Sequence, residues 1–211
     1  MKFTLDQIKK FIEEDVRDEF ETDDDWLNTR YMEVAQLTGH TNPYYLLFYV
    51  LAEMLEPKLV VELGSWRAYG AAHFASGNPN TTVVTVDIHK DEAQKMDHEK
   101  AIEIANWYPN LHFIHAWTWD AAPLIYERFA KETPIDILFV DAWHKYEYVK
   151  RELELYTPML NDEALIIFDD VMDADGATES MLKLWDEIKY DKFINTRLHD
   201  GIPMGYVKYE V

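Results

Sequence analysis

An α/β fold is predicted for this 211-residue chain: a doubly wound, mostly parallel seven-stranded sheet with leading helices and an antiparallel C-terminal hairpin. Three observations predict it. Short apolar runs alternate with helical stretches from residue 59 onward. Those runs are apolar throughout rather than at every second position, the pattern of strands buried on both faces. The last two, "KFINTRL" and "GYVKYEV", are separated only by the turn "HDGIPM", close enough to pair as a hairpin.

The elements follow in order. Residues 4–20 read as a helix: Thr4 and Gln7 match a capping box, and Ile8, Phe11, Ile12 and Val16 make one apolar face. The acidic stretch "ETDDDWLNTR" is loop-like. A second helix, "NPYYLLFYVLAEML", is stopped by Pro57. Then "LVVELG", "TTVVTVD", "LHFIHAW", "IDILFVD" and "ALIIFDD" read as strands. Between and after them, "RAYGAAHFAS", "DEAQKMDHEKAIEIANW", "DAAPLIYERFAKE", "EYVKRELELYTPML" and "ATESMLKLWDEIKY" read as helices. No repeat, low-complexity tract or linker interrupts them. The chain divides into a helical appendage over 1–43, a lid or dimer contact, and one domain over 44–211.

Composition narrows the function. The chain is 48% hydrophobic and 14% aromatic, enough for an ample core. Its net charge of −20 argues against nucleic acid, where phosphates demand clustered Lys and Arg, and against anionic membranes. With no cysteine, disulfides, thiolate metal sites and a Cys nucleophile are excluded. The N-terminus is acidic and amphipathic, unlike a signal peptide, and no apolar run approaches the roughly 18 residues that span a bilayer. A cytoplasmic enzyme or binding protein is the expectation.

Four of the five parallel strands are expected to end in an acid: Glu62, Asp87, Asp141 and Asp169. Ligands of open α/β sheets sit at the carboxyl ends of the strands, so these acids would gather along one functional rim. Gly64, directly after a strand, would let backbone approach a ligand, and Glu62 could accept from a ligand's ammonium. Asp87, ending the second strand, is placed to grip ribose hydroxyls. The competing readings are an ordinary strand-to-helix turn and a solvated strand tip. "DDVMDADG" is acidic enough for a calcium loop, but Val171 and Leu182 stand where that loop needs acids.

Glu62-Leu-Gly64-Ser65, Asp87 and "VDAWHKYEYVKRELELYTPMLNDEALIIFDDV" together resemble class I S-adenosylmethionine-dependent methyltransferases, in the branch of catechol O-methyltransferase and related small-molecule O-methyltransferases. The resemblance runs from about residue 44 to the C-terminus and implies a Rossmann-like sheet. It implies that the Glu62–Gly64 loop holds the methionine end of the cofactor and Asp87 its ribose, that Thr118, Trp119 and Asp120 are candidates at its adenine, and that Ser65, Tyr69 and Ile88 also bind it. Asp141 and Trp143 would complete that site. Asp141, Asp169 and Asp170 become ligands of Mg²⁺ or another divalent cation, and His144 or Lys145 the general base. Three converging carboxylates repel one another unless a cation or proton intervenes, and hard oxygen ligands suit Mg²⁺.

The expected reaction is methyl transfer to a hydroxyl of a small-molecule acceptor. One alternative is a metal-independent methyltransferase of sugars or natural products; another is a non-catalytic cofactor or nucleotide binder. A nicotinamide dehydrogenase is disfavoured because G-x-G-x-x-G is absent. The glycine loop departs from the family at Ala68, where a second glycine is usual, with Gly70 two residues later and bulky Trp66 and Arg67 between. Asn161-Asp162-Glu163 replaces a double glycine in the turn expected before the fifth strand. Trp26, Tyr31 and Tyr44 are candidates to cover the pocket or form a homodimer contact. His40, His73, His89, His98, His112, His115 and His199 show no ligand spacing in sequence and read as structural or surface groups.

Overall fold

Among the described residues, 3–15, 43–89, 94–171, 179–199 and 202–211 of a computed structural model, one seven-stranded sheet organises the chain. The strands are β1 (Leu59–Leu63), β2 (Thr82–Asp87), β3 (Leu111–His115), β4 (Ile135–Val140), β5 (Leu160–Phe168), β6 (Asp191–His199) and β7 (Ile202–Glu210). Their order is β3-β2-β1-β4-β5-β7-β6. The first five are parallel; β7 pairs antiparallel with both β5 and β6. The strand order reverses between β1 and β4, the point at which such sheets open a crevice at their carboxyl ends.

The helices are α1 (Leu5–Lys10), α2 (Pro43–Leu55), α3 (Tyr69–Gly77), α4 (Lys95–Ala105), α5 (Thr118–Ile125), α6 (Tyr146–Tyr156) and α7 (Glu179–Glu187). The capping box is present: the Gln7 amide donates to Thr4 Oγ1 at 3.2 Å and the Thr4 amide to Gln7 Oε1 at 2.8 Å. After α1 the backbone widens into a π-helical turn over Phe11–Asp15; the rest of the helix expected to residue 20 lies outside the described residues. So do Trp26 and Tyr31. The appendage's described part packs Phe3, Ile8, Phe11 and Ile12 into the same core as α2 and the inner sheet face.

Two cores flank the sheet. One, under α2 and α3, includes Phe48, Phe74, Phe139 and Tyr206. The other, under α5 to α7, includes Leu138, Tyr156, Phe168 and Trp185. Burial on both faces is why β1 and β4 are apolar at every position but one each, Glu62 and Asp136. Asp136 is satisfied locally: its carboxylate accepts from the Lys58 amide at 2.7 Å and from Asn161 Nδ2 at 2.8 Å.

Two sequence expectations change. Asn161, Asp162 and Glu163 are not a turn but the first part of β5, held there by pairing with the chain's last residues. The helix expected from Arg67 begins only at Tyr69, because Trp66 (φ 44°) and Ala68 (φ 60°) are left-handed and cannot propagate a right-handed helix.

Candidate active site

A cleft of about 440 Å³ opens where the strand order reverses, at the ends of β1, β2 and β4. Of the residues singled out from the sequence, Gly64, Asp87, Ile88, Thr118, Trp119, Asp141 and Trp143 line it. Glu62, Ser65 and Tyr69 are buried and do not line it.

Gly64 has φ +94°, and a Cβ there would run into the carbonyl of Asp141 at the end of β4. The close approach that demands glycine is therefore to the protein's own backbone, which brings the loop and Asp141 into contact. Asp87 then fixes the loop: its Oδ2 accepts from the amides of Ser65 at 3.0 Å and Trp66 at 2.7 Å. Arg67 Nε ties the loop to α4 through Asp97 at 2.6 Å.

The expected rim of four acids splits. Glu62 lies within β1, only 2% exposed, and accepts a hydrogen bond from Thr85 Oγ1 on β2. Gly70 leaves room for it, since a Cβ there would press on the Glu62 carboxyl. Burial lifts the Glu62 pKa well above the ordinary carboxyl range. Glu62 thus anchors β1, β2 and α3 from inside.

Asp141 and Asp169 do converge, and His144 joins them: one ligand atom from each lies within 4.8 Å of the others. The Asp141 and Asp169 amides hydrogen-bond to Leu63 and Val140 carbonyls at 2.8 and 3.1 Å, so backbone register sets their positions. Asp170, left-handed at φ 49°, instead carries its carboxylate to His144 Nδ1 at 3.0 Å. His144 Nε2 faces Asp141 Oδ1 at 3.3 Å. Burial, then the Asp169 charge, raises the Asp141 pKa. Burial alone would lower that of His144, but Asp141 and Asp170 outweigh it and raise it to about 10. His144 thus sits between Asp141 and Asp170, with one ring nitrogen toward each. Lys145 is exposed, with Nζ 5.3 Å from the Trp143 ring, and does not line the cleft.

Tyr44, at the start of α2, is buried with its hydroxyl pKa pushed up by burial, then by Tyr45, Asp141 and Asp169. One wall of the cleft is aromatic: Trp117 stacks on Trp119 at 4.7 Å, and Trp143 on Tyr148 at 4.6 Å.

Sequence reasoning missed Glu152. This α6 residue is 1% exposed, lines the cleft, accepts from Thr118 Oγ1, and has a second oxygen, Oε2, buried with no partner. Burial raises its pKa to about 7. The signal was present: Val149, Glu152 and Tyr156 form one buried helical stripe, and a carboxylate on such a stripe needs a reason. A second correction concerns the histidines. His89, His98 and His115 were read as structural, yet their ring nitrogens come within 4.8 Å of one another.

Comparison with known proteins agrees with this geometry. Residues 61–171 match a family described as a methyltransferase domain. An O-methyltransferase from Bacillus cereus, solved with S-adenosylhomocysteine, superposes with a TM-score of 0.63 at 17% identity, covering 86% of this chain and 91% of that one. An O-methyltransferase of tomaymycin synthesis from Streptomyces achromogenes, solved with S-adenosylmethionine, gives 0.62 at 14%, covering 89% and 91%. A methyltransferase from Podospora anserina, solved with S-adenosylhomocysteine, gives 0.60 at 16%, covering 100% and 98%. These three likenesses establish the fold, and the match over 61–171 establishes the family: the chain belongs to the methyltransferase domain family.

Proposed function

We propose that this protein moves a methyl group from S-adenosylmethionine to a hydroxyl of a small molecule, with a divalent cation at the acid cluster. The observation that carries the reading is one cleft joining two sets of groups. Gly64, Asp87, Thr118, Glu152 and Asp141 line it together, and Asp141 also belongs to the cluster with Asp169 and His144. The orphaned Glu152 Oε2 is the fit test for the cofactor, because a buried acceptor facing a cleft suits a donor such as adenine's exocyclic amine. The oxygen donors of Asp141 and Asp169 suit Mg²⁺.

When bound, the cofactor supplies an electrophilic methyl and the cation orients a hydroxyl and lowers its pKa. The chain supplies position. Asp87 holds the loop, the aromatic wall excludes water, and Asp141 and Asp169 gather the reacting groups at the switch point. His144 is the candidate base for the hydroxyl proton, its ring lying between Asp141 and Asp170. The metal-independent alternative also has an observation in its favour, since His144 already bridges Asp141 and Asp170 without a cation, at 3.3 and 3.0 Å.

Calorimetric titration of S-adenosylmethionine and S-adenosylhomocysteine, with Mg²⁺ and then with chelator, tests the proposal. Micromolar cofactor binding, followed by methylation of catechols or vicinal diols only with the cation, is the expected result. Absence of binding in both conditions would overturn it. Turnover unaffected by chelator would overturn the cation alone.

A further inference from the structure

We propose that His89, His98 and His115 form a transition-metal site, selective for Zn²⁺ over Mg²⁺, that clamps one wall of the cleft. The site is separate from the acid cluster and does not rest on the methyltransfer reading.

Three elements build it. His89 follows β2, His98 lies on α4, and His115 ends β3 as the register partner of Asp87. The His98 ring sits 4.3 Å from His115 and 4.9 Å from His89, with Phe113 packed beside them at 5.5 Å from His98. A ligand nitrogen from each ring lies within 4.8 Å of the others, so small side-chain rotations bring them to bonding distance of one ion, roughly 2.0–2.1 Å for Zn–N.

The hydrogen bonds fix the tautomers. His89 Nε2 lies 3.1 Å from the Trp66 carbonyl oxygen, which can only accept, so Nε2 carries the proton. In the neutral ring Nδ1 then holds a lone pair. That Nδ1 faces His98 Nδ1 at 3.0 Å, a separation at which one nitrogen donates and the other accepts, so His98 is the donor. A metal-bound imidazole has this same arrangement: one nitrogen's lone pair inward, the other's N–H on a backbone carbonyl. An ion held between the two Nδ1 atoms would displace that proton to His98 Nε2, leaving both rings neutral with their Nδ1 lone pairs inward.

The donor set selects the ion. Three imidazoles without carboxylate or thiolate suit Zn²⁺ and its borderline neighbours, while Mg²⁺ prefers oxygen. The fourth position is open to water, His115 being exposed. His89 lines the cleft and Trp66 belongs to the glycine loop, so an ion here would join β2, β3, α4 and that loop.

The test uses the untagged full chain, stripped with chelator and titrated with Zn²⁺ against a chromophoric zinc indicator. His115→Asn changes an exposed ligand, and Asp169→Asn changes the acid cluster. The expected result is a tight Zn²⁺ site in the wild type and in Asp169→Asn that Mg²⁺ does not displace, with binding at that site at least about tenfold weaker in His115→Asn and His98→Asn, while any Zn²⁺ taken up by the acid cluster is displaced by Mg²⁺. Thermal melting is a second readout: Zn²⁺ raises the Tm of the wild type but not that of His115→Asn. No Zn²⁺ binding by the wild type, or binding lost in Asp169→Asn and kept in His115→Asn, would overturn the site.

Discussion

Replacing Glu152 with glutamine perturbs one proton and leaves the shape unchanged. The Glu152 carboxyl is buried on α6, accepts from Thr118 Oγ1, and leaves Oε2 without a partner in the cleft. Burial raises its pKa from the usual 4.5 to about 7. Between those values the folded chain keeps a proton that the unfolded chain releases, so the wild type is stabilised at low pH and loses that stability as pH rises through about 7. At about 1.4 kcal/mol per pH unit, the loss is worth about 3 kcal/mol. Glutamine does not titrate and still accepts from Thr118. Urea denaturation of both proteins at about pH 5 and about pH 8 should therefore show the variant gaining about 3 kcal/mol on the wild type between the two. Parallel stability at both pH values would refute the argument, since Glu152 would then carry the same charge folded and unfolded. A second readout follows from polarity. With Thr118 Oγ1 still donating to the glutamine oxygen, the NH₂ turns to where Oε2 was. A donor then replaces an acceptor, and affinity for S-adenosylmethionine should fall by at least about tenfold. Unchanged affinity would mean that Oε2 does not meet the ligand.

Gly64→Ala combines a collision with the Asp141 carbonyl and a φ of +94°, so it should fail to fold or lose several kcal/mol, about 1–2 kcal/mol of it from the backbone conformation alone; a thermal melt checks this. Ala68→Gly should change stability by less than about 1 kcal/mol, because relief of a left-handed alanine is offset by a lost buried methyl and a freer unfolded chain. If the melt instead shows a large loss, the Ala68 methyl matters more than its conformation costs. Asp169→Asn should weaken Mg²⁺ binding by at least about tenfold in calorimetry while leaving S-adenosylhomocysteine binding within about threefold, since Asp169 does not line the cleft. Equal loss of both would mean that the residue supports the cleft rather than an ion.

The sheet was legible because its strands are uninterrupted apolar runs and because a parallel sheet must be covered on both faces. The acids at strand ends were legible as a group but not as individuals. Nothing in "VVELG" says that Glu62 points into the protein toward Thr85, whereas Asp141 reaches the cleft; that follows from pairing register and from the space Gly70 leaves. Gly64 was recognised, but its reason was not, because the Asp141 carbonyl approaches from a strand distant in sequence. The three histidines escaped notice for the same cause. His89, His98 and His115 come from three elements at irregular spacing, and only the β2–β3 register and the seat of α4 bring them together. Asp170 looked equivalent to Asp169, and a left-handed turn between them sent their carboxylates to different partners.

The contact between Gly64 and the Asp141 carbonyl has a consequence for how this protein can change. It joins the glycine loop to the acid-bearing turn after β4, at a point where not even a methyl group fits. Neither backbone can move toward the other, so a shift of one in that direction must carry the other with it. Adaptation to a different acceptor would therefore run through side chains that line the cleft, such as Trp66 and Trp143.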